Sequence, residues 1–200
     1  MKLIFVRHGE TNENAAHCYL GHTDSPLNDA GRRQIGLIAE QFLQKRFDIK
    51  RTLLFSSDLL RAQESAQIIG NCLKLSPTPD FALRELNFGD WECLTYDQIM
   101  ERESVALTRW IDDPFNEAPP NGESLAELGA RFDAWLEQIL SLRGQEDVLI
   151  IVCHGGPIRW FSSKWLEGDT AKYWQVEGVK HGAGLAVEYD KRTREFTRIN

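Results

Sequence analysis

Four short apolar runs, Leu3–Val6, Thr52–Ser56, Val148–Cys153 and Gly184–Tyr189, constrain this chain most. Each is too short for a helix and rich in branched or aromatic residues, as strands buried in a sheet are. Between them the period changes. Ala30–Lys45 places Ile35, Ile38, Phe42 and Leu43 on one helical face, and Leu59–Cys72 does so with Ala62, Ala66 and Ile69. Ser124–Leu142 opens with Ser124 as N-cap and Glu127 three residues on, a capping box. Its stripe is Leu125, Leu128, Phe132, Leu136, Ile139 and Leu140. Strand–helix alternation implies an α/β fold, a three-layer α/β/α sandwich with a mainly parallel sheet.

The stretch from Leu86 to Gly122 breaks that rhythm with Trp91, Tyr96, Trp110, Phe115, the pair Pro119-Pro120 and several acidic residues. It is expected to be an insertion of short helices folded over one end of the sheet, a lid or substrate wall. No repeat, low-complexity tract or linker is visible, so residues 1–200 are expected to form one domain with 86–122 as its lid-like insertion.

A net charge of −7 argues against nucleic acid or an anionic membrane as partner, because both need a broad cationic face. Basic clusters in such a chain serve one small anion. No apolar run approaches the ~20 residues of a membrane span, and no signal-peptide pattern opens the chain. Cys18, Cys72, Cys93 and Cys153 are scattered without a CxxC pair. Structural thiols of a cytoplasmic protein are the expectation, ahead of a disulfide or a metal cage. Self-association into a homo-oligomer is left open.

The chemistry gathers where strands end. The first run leads straight into Arg7-His8-Gly9, the second into Ser57-Asp58 with Arg61 one turn on, and the third long run into His154-Gly155-Gly156. A further extended segment, Thr78–Leu83, ends in Arg84-Glu85. Carboxyl ends of parallel strands share one edge, where ligands bind in open α/β sheets. Two arginines, two histidines and a carboxylate should therefore converge. Arginine forks match the equatorial oxygens of a transferring phosphoryl group. A neutral imidazole is a competent acceptor near pH 7, and Gly9 is expected to leave room for the phosphate. Gly155-Gly156 offers backbone donors, and Glu85 is placed to serve as acid and then base.

The ordered series of motifs resembles the histidine phosphatase superfamily, the phosphoglycerate-mutase-like enzymes, along nearly the whole chain. It comprises Val6-Arg7-His8-Gly9-Glu10-Thr11 with Asn14, Gly21-His22-Thr23-Asp24-Ser25-Pro26-Leu27 and Gly31, and Ser56-Ser57-Asp58-Leu59-Leu60-Arg61-Ala62. It continues with Leu83-Arg84-Glu85-Leu86-Asn87-Phe88-Gly89-Asp90-Trp91-Glu92, Gly122-Glu123-Ser124 and His154-Gly155-Gly156. The resemblance implies His8 as the nucleophile that becomes phosphohistidine, and Arg7, Arg61 and His154 as the rest of the phosphate clamp. Glu85 is then the proton donor, and Asn14, Gly21 and the Gly155 amide are secondary phosphate contacts. It implies no metal and no cofactor, and a small phosphorylated metabolite as partner. Many relatives carry arginine where this chain has Cys18, which alters a contact at the pocket rim.

Phe88 to Tyr96 is similar to the small bacterial phosphatases, especially the α-ribazole and broad-specificity branches, and lacks the Leu-Asn-Lys stretch of the cofactor-dependent mutases. A phosphatase is favoured over a phosphoglycerate-type mutase, and both over a non-catalytic phospholigand-binding module, since no member of the clamp is missing. Several plainer readings compete. Arg7 and Arg61 have Glu10 and Glu64 as alternative ion-pair partners, Arg84 or Arg61 has Glu85, and Glu92 and Asp90 are alternative acids. His17, His22 and His181 are expected at the surface or rim, with His22 the nearest to substrate. Trp91, Trp110 and Phe115 either line the pocket or tie the insertion down. Cobalamin-precursor phosphates, sugar phosphates, nucleotides and phosphoglycerates all remain open as substrates.

Overall fold

Leu3 to Val6 are all buried, and their side chains part to opposite faces of the sheet, as a strand's period of two requires. A computed structural model describes residues 1–45 and 47–199. In it β1 (Lys2–Arg7), β2 (Thr52–Ser57), β3 (Pro77–Asp80), β4 (Val148–Cys153), β5 (Gly184–Asp190) and β6 (Glu195–Arg198) form one sheet in the order β3-β2-β4-β1-β5-β6. The pairs β2–β3, β2–β4 and β1–β4 are parallel, whereas β5 runs antiparallel to both β1 and β6.

Leu3 and Phe5 join Leu149, Ile151 and Cys153 in a core under Leu128, Phe132 and Leu136 of α5 (Leu125–Leu142). Ile4 and Val6 join Ile150 and Val152 on the other face, under Ile35, Ile38 and Phe42 of α2 (Asp29–Gln44) and Ala62, Ala66 and Ile69 of α3 (Leu60–Leu73). Helices on both faces of a mostly parallel sheet make the three expected layers. Burying one such large side chain contributes about 1.5–3 kcal/mol. The Ser124–Glu127 capping box opens α5 as the sequence predicts.

Two expectations need correcting. Leu43 is 51 % exposed, because it lies one residue past Phe42 and so about 100° around the helix from it. The extended segment before Arg84-Glu85 is strand only to Asp80 and then a 3₁₀ turn, Phe81–Leu83. Pro77 and Pro79 suit it to the sheet edge, where no ladder donor is needed. The segment 86–122 holds short helices as expected: a 3₁₀ turn, Gly89–Trp91, and α4 (Tyr96–Asp112), capped by Thr95 and Gln98 and broken in two at Glu103, whose backbone is not helical. Trp91 is buried and its indole N–H donates to Glu103 at that break, while the Phe115 ring packs on Trp160. Both therefore tie the segment down. Among the described residues no helix is long and apolar enough to cross a membrane, and the four cysteines are free thiols.

Candidate active site

His8 leaves β1 with its backbone N–H on the Cys153 carbonyl of β4, so the two strand ends carry His8 and His154 side by side. Their ring centroids lie 4.9 Å apart and both residues are buried. The His8 Nδ1–H donates to the Gly9 carbonyl at 2.7 Å. That fixes the tautomer and leaves a lone pair on Nε2, which Arg61 Nε approaches at 3.3 Å. Gly9 has no room for a side chain, but the obstacle is the backbone of Gly31 at the start of α2. Its space serves helix packing rather than the phosphate, which corrects the sequence reading.

Arg61 is fully buried without a carboxylate partner. Its Nη1 donates to the Thr23 carbonyl and its Nη2 to those of Gly21 and Leu20. Burial pulls its pKa down to about 10, against the opposing pull of Glu85, Glu92, Asp24 and Glu13, so it remains a cation at neutral pH. Arg7 anchors Nη1 on the Val179 carbonyl and has a buried Nε with no partner in the protein. The competing ion pairs do not form. Glu64 pairs with Arg32, Glu10 accepts from Asn28, and Arg84 forks onto Asp58. The carboxyl of Glu85 accepts the Gly156 N–H at 3.0 and 3.1 Å and the Leu86 N–H at 2.9 Å. A Cβ at Gly156 would push that carboxylate out of its place. Gly156 donates to Glu85 rather than waiting for an anion. Gly155 lies open beside the Arg7 guanidinium and lines the cleft.

Arg7 and Glu85 line two adjoining cavities, of about 470 Å³ toward Asn14 and about 540 Å³ toward Gly155 and Gly156. Asn14 faces the first and holds its own turn by accepting the Thr11 N–H. Gly21 departs from expectation. Its amide donates to Glu92 and its carbonyl holds Arg61, so it supports the clamp from behind. Glu92 is no acid in waiting either, because it accepts four backbone N–H groups, from Gly21, His22, Thr23 and Phe88. His22 likewise turns away from substrate and binds the Glu85 carbonyl through Nε2.

Both ring nitrogens of His154 are buried without a partner. Burial, then the charge of Arg61 and the His8 ring beside it, holds its pKa well below the usual imidazole range. Burial, Arg61, His181 and Arg7 do the same to His8. His154, packed against the His8 ring, and Arg7, the residue before His8, keep buried nitrogens without a partner among the described residues, and oxygens from a ligand would satisfy them.

Comparison with known proteins matches this layout. The family model described as histidine phosphatase superfamily (branch 1) covers residues 3–200. The chain belongs to the histidine phosphatase superfamily. It is 26% identical over its whole length to phosphoserine phosphatase 1 of Hydrogenobacter thermophilus, covering 92% of that protein. It is 38% identical over 160 residues to phosphoglycerate mutase-like protein 4 of Arabidopsis thaliana, spanning 79% of this chain and 68% of that one. The crystal structure of α-ribazole phosphatase from Shigella flexneri superposes with a TM-score of 0.88 at 25% identity, covering 100% of this chain and 95% of that one.

Two residues of this histidine phosphatase escaped the sequence reading. His181 is not peripheral. Its ring lies 5.1 Å from that of His8, its Nδ1 contacts the His8 carbonyl at 3.3 Å, and it lines the Asn14 cavity. It precedes an antiparallel strand, whose amino end shares the edge where the parallel strands end; that was the available signal. Arg131 of α5 donates to the Ala82, Arg84 and Glu85 carbonyls and pairs with Glu123, pinning the Glu85 segment. Its position three residues after Leu128, at the margin of the apolar stripe, marked it.

The two buried imidazoles set a pH dependence. An unfolded histidine titrates near 6.5, whereas His8 and His154 titrate well below that when folded. Below pH 6.5 the unfolded chain binds the more protons, so stability is complete above that pH and falls as pH drops toward the folded pKa values. At full slope each imidazole contributes about 1.4 kcal/mol per pH unit. Urea midpoints should therefore fall between pH 7.5 and 5.5, well above the range in which Asp58, held low by Arg84, begins to matter. A midpoint unchanged over that interval would show that the folded protein accepts these protons.

Proposed function

We propose that this protein is a metal-independent phosphatase that hydrolyses a small phosphomonoester through a phosphohistidine intermediate. The observation that carries the reading is His8 Nε2 approached by Arg61 Nε, with the ring of His154 packed against His8 and both His154 nitrogens lacking a partner among the described residues. In the first step His8 Nε2 attacks phosphorus, the ester P–O bond breaks, and Glu85 gives its proton to the departing alkoxide. Arg7, Arg61 and His154 carry the charge on the equatorial oxygens. Donors fixed before the substrate arrives keep reorganisation during the reaction small. In the second step Glu85 takes a proton from water, the oxygen attacks phosphorus, the N–P bond breaks, and phosphate leaves with His8 neutral again.

The phosphatases among its relatives support hydrolysis over phosphoryl return to a second hydroxyl, and α-ribazole 5′-phosphate is the first substrate to try. The expected setting is the cytoplasm, where the four free thiols stay reduced. The decisive variant is Glu85→Gln. It should slow an alkyl phosphate roughly 10²–10⁴-fold and p-nitrophenyl phosphate far less, because p-nitrophenolate leaves without a proton. Assays run in EDTA with release of inorganic phosphate as readout. Equal slowing of both esters would remove Glu85 from the acid role, and 2-phosphoglycerate formed from 3-phosphoglycerate and a bisphosphoglycerate primer would mark a mutase.

A further inference from the structure

His8 packs against two other imidazoles. The ring of His154 lies 4.9 Å from it and that of His181 5.1 Å. The two neighbours differ in what they face. His154 is fully buried, whereas His181 is half-buried and lines the cavity of about 470 Å³ that Arg7, Asn14 and Glu85 also line. His17, Tyr19 and Tyr96 line the same cavity, but His181 is the member whose ring packs on His8.

The hydrogen bonds of His181 fix its tautomer. Its Nδ1 meets the His8 carbonyl at 3.3 Å, and a carbonyl only accepts, so Nδ1 carries the hydrogen. Burial, then the charge of Arg7, pulls its pKa down to about 4, so the ring is neutral at pH 7 and Nε2 holds a lone pair. That nitrogen has no partner among the described residues and is not buried, so it opens onto the cavity. The backbone at His8 does not depend on this ring. The Gly182 N–H reaches the Arg7 and His8 carbonyls at 3.1 and 3.2 Å, and the Arg7 N–H donates to Ala183 at 3.0 Å.

An acceptor here is out of character with the anion clamp around it. Arg7 brings donors alone, and Asn14 spends Oδ1 on the Thr11 N–H, which leaves its amide hydrogens. Phosphate oxygens gain nothing from a neutral lone pair. Water does. A water molecule attacking phosphorus carries two hydrogens; Glu85 takes one, and the other needs a second acceptor. An alcohol carries one hydrogen on its oxygen, which Glu85 alone serves.

We infer that His181 is a catalytic residue of the second step, its Nε2 accepting a hydrogen bond from the attacking water and so favouring water over alcohols at the phosphohistidine. This inference rests on the phosphohistidine reading and gives that site a residue that decides between hydrolysis and transfer. The water oxygen forms the new P–O bond while the N–P bond breaks and its electron pair returns to His8 Nε2. One water hydrogen passes to Glu85 as a proton. The other stays on the oxygen, bonded to His181, and leaves with the phosphate, so His181 itself neither gains nor loses a proton.

The test offers one phosphoenzyme two acceptors. p-Nitrophenyl phosphate is turned over in water containing methanol. Pre-steady-state release of p-nitrophenol reads the first step, decay of ³²P-labelled phosphoenzyme the second, and inorganic against methyl phosphate the partition. His181→Asn keeps an N–H for the His8 carbonyl and removes the Nε2 lone pair. It should slow dephosphorylation about tenfold, the scale of one hydrogen bond in an aligned attack, and the first step far less. The methyl phosphate share should rise severalfold. His181→Gln, whose side-chain oxygen reaches the place of Nε2, should recover part of both effects, and His181→Met, of similar length without an acceptor, should not. That second pair decides the matter if His181→Asn lowers the melting temperature. A partition equal to the parent's in the Asn and Met variants would overturn the inference and leave the phosphatase standing. Equal slowing of both steps would also overturn it, as the mark of a purely structural ring. A parent protein that forms no phosphohistidine would remove the underlying reading, and this role with it.

Discussion

His8→Ala is expected to lower turnover of p-nitrophenyl phosphate by roughly 10⁴–10⁶-fold, the scale on which removing a nucleophile acts. The same variant should fail to take up label from a ³²P-ester, whereas the parent protein retains label that survives alkali and is lost in acid. The effect is this large because no other group near the phosphate can replace Nε2. In the proposed mechanism the His154 nitrogens and Arg7 hold the oxygens, and Glu85 is tied to the Gly156 N–H. Folding should be little disturbed, since the His8 ring makes one side-chain hydrogen bond to backbone, at Gly9. Full turnover in His8→Ala, or label of undiminished amount, would end the phosphohistidine mechanism.

Arg61→Ala should damage both stability and activity. The guanidinium satisfies the carbonyls of Leu20, Gly21 and Thr23 from a fully buried position. Its loss strands these acceptors and opens a cavity beside His8, at a cost of about 3 kcal/mol. For a chain of this length that is roughly a 10 °C fall in melting temperature. Arg61→Lys separates the two roles. An ammonium meets some of the carbonyls and restores part of the stability, but it lacks the planar fork and should leave kcat/KM roughly 10²-fold or more below the parent. Vanadate affinity equal to the parent's in Arg61→Lys would show that Arg61 organises the loop without touching the anion.

Much of this was legible in the sequence, and the reasons are local. A strand buried between two neighbours and covered on both faces is apolar on both faces, so β1, β2 and β4 stand out as uninterrupted runs whose ends can be read to within a residue. Those ends brought His8, Arg7, His154 and, one turn into α3, Arg61 to one edge before any coordinates were known. The misses share a different origin. β6 and the role of His181 belong to the antiparallel part of the sheet, where functional residues precede a strand instead of following it. The family resemblance implies Gly21 as an anion contact and residue type offers Glu92 as an acid, and only the path of backbone N–H groups shows them bonded to each other. Local pattern carries no information about which amide lies across from which carboxylate. For the same reason Trp91 and Trp110 were indistinguishable in sequence, although one anchors the segment and the other faces the cleft.

The four-fold grip of Glu92 has a consequence for how such a protein diversifies. Residues up to that carboxylate are fastened to the backbone that holds Arg61, whereas α4 beyond it adds Ile99, Leu107 and Trp110 to the core, the Trp91–Glu103 bond, and Trp110 and Ile111 to the cleft wall. Glu92 is thus a seam. Downstream of it, replacing the stretch from Thr95 to Pro119 is expected to change the cleft wall that Trp110 and Ile111 supply, while the Glu92 contacts to Gly21, His22 and Thr23 stay in place.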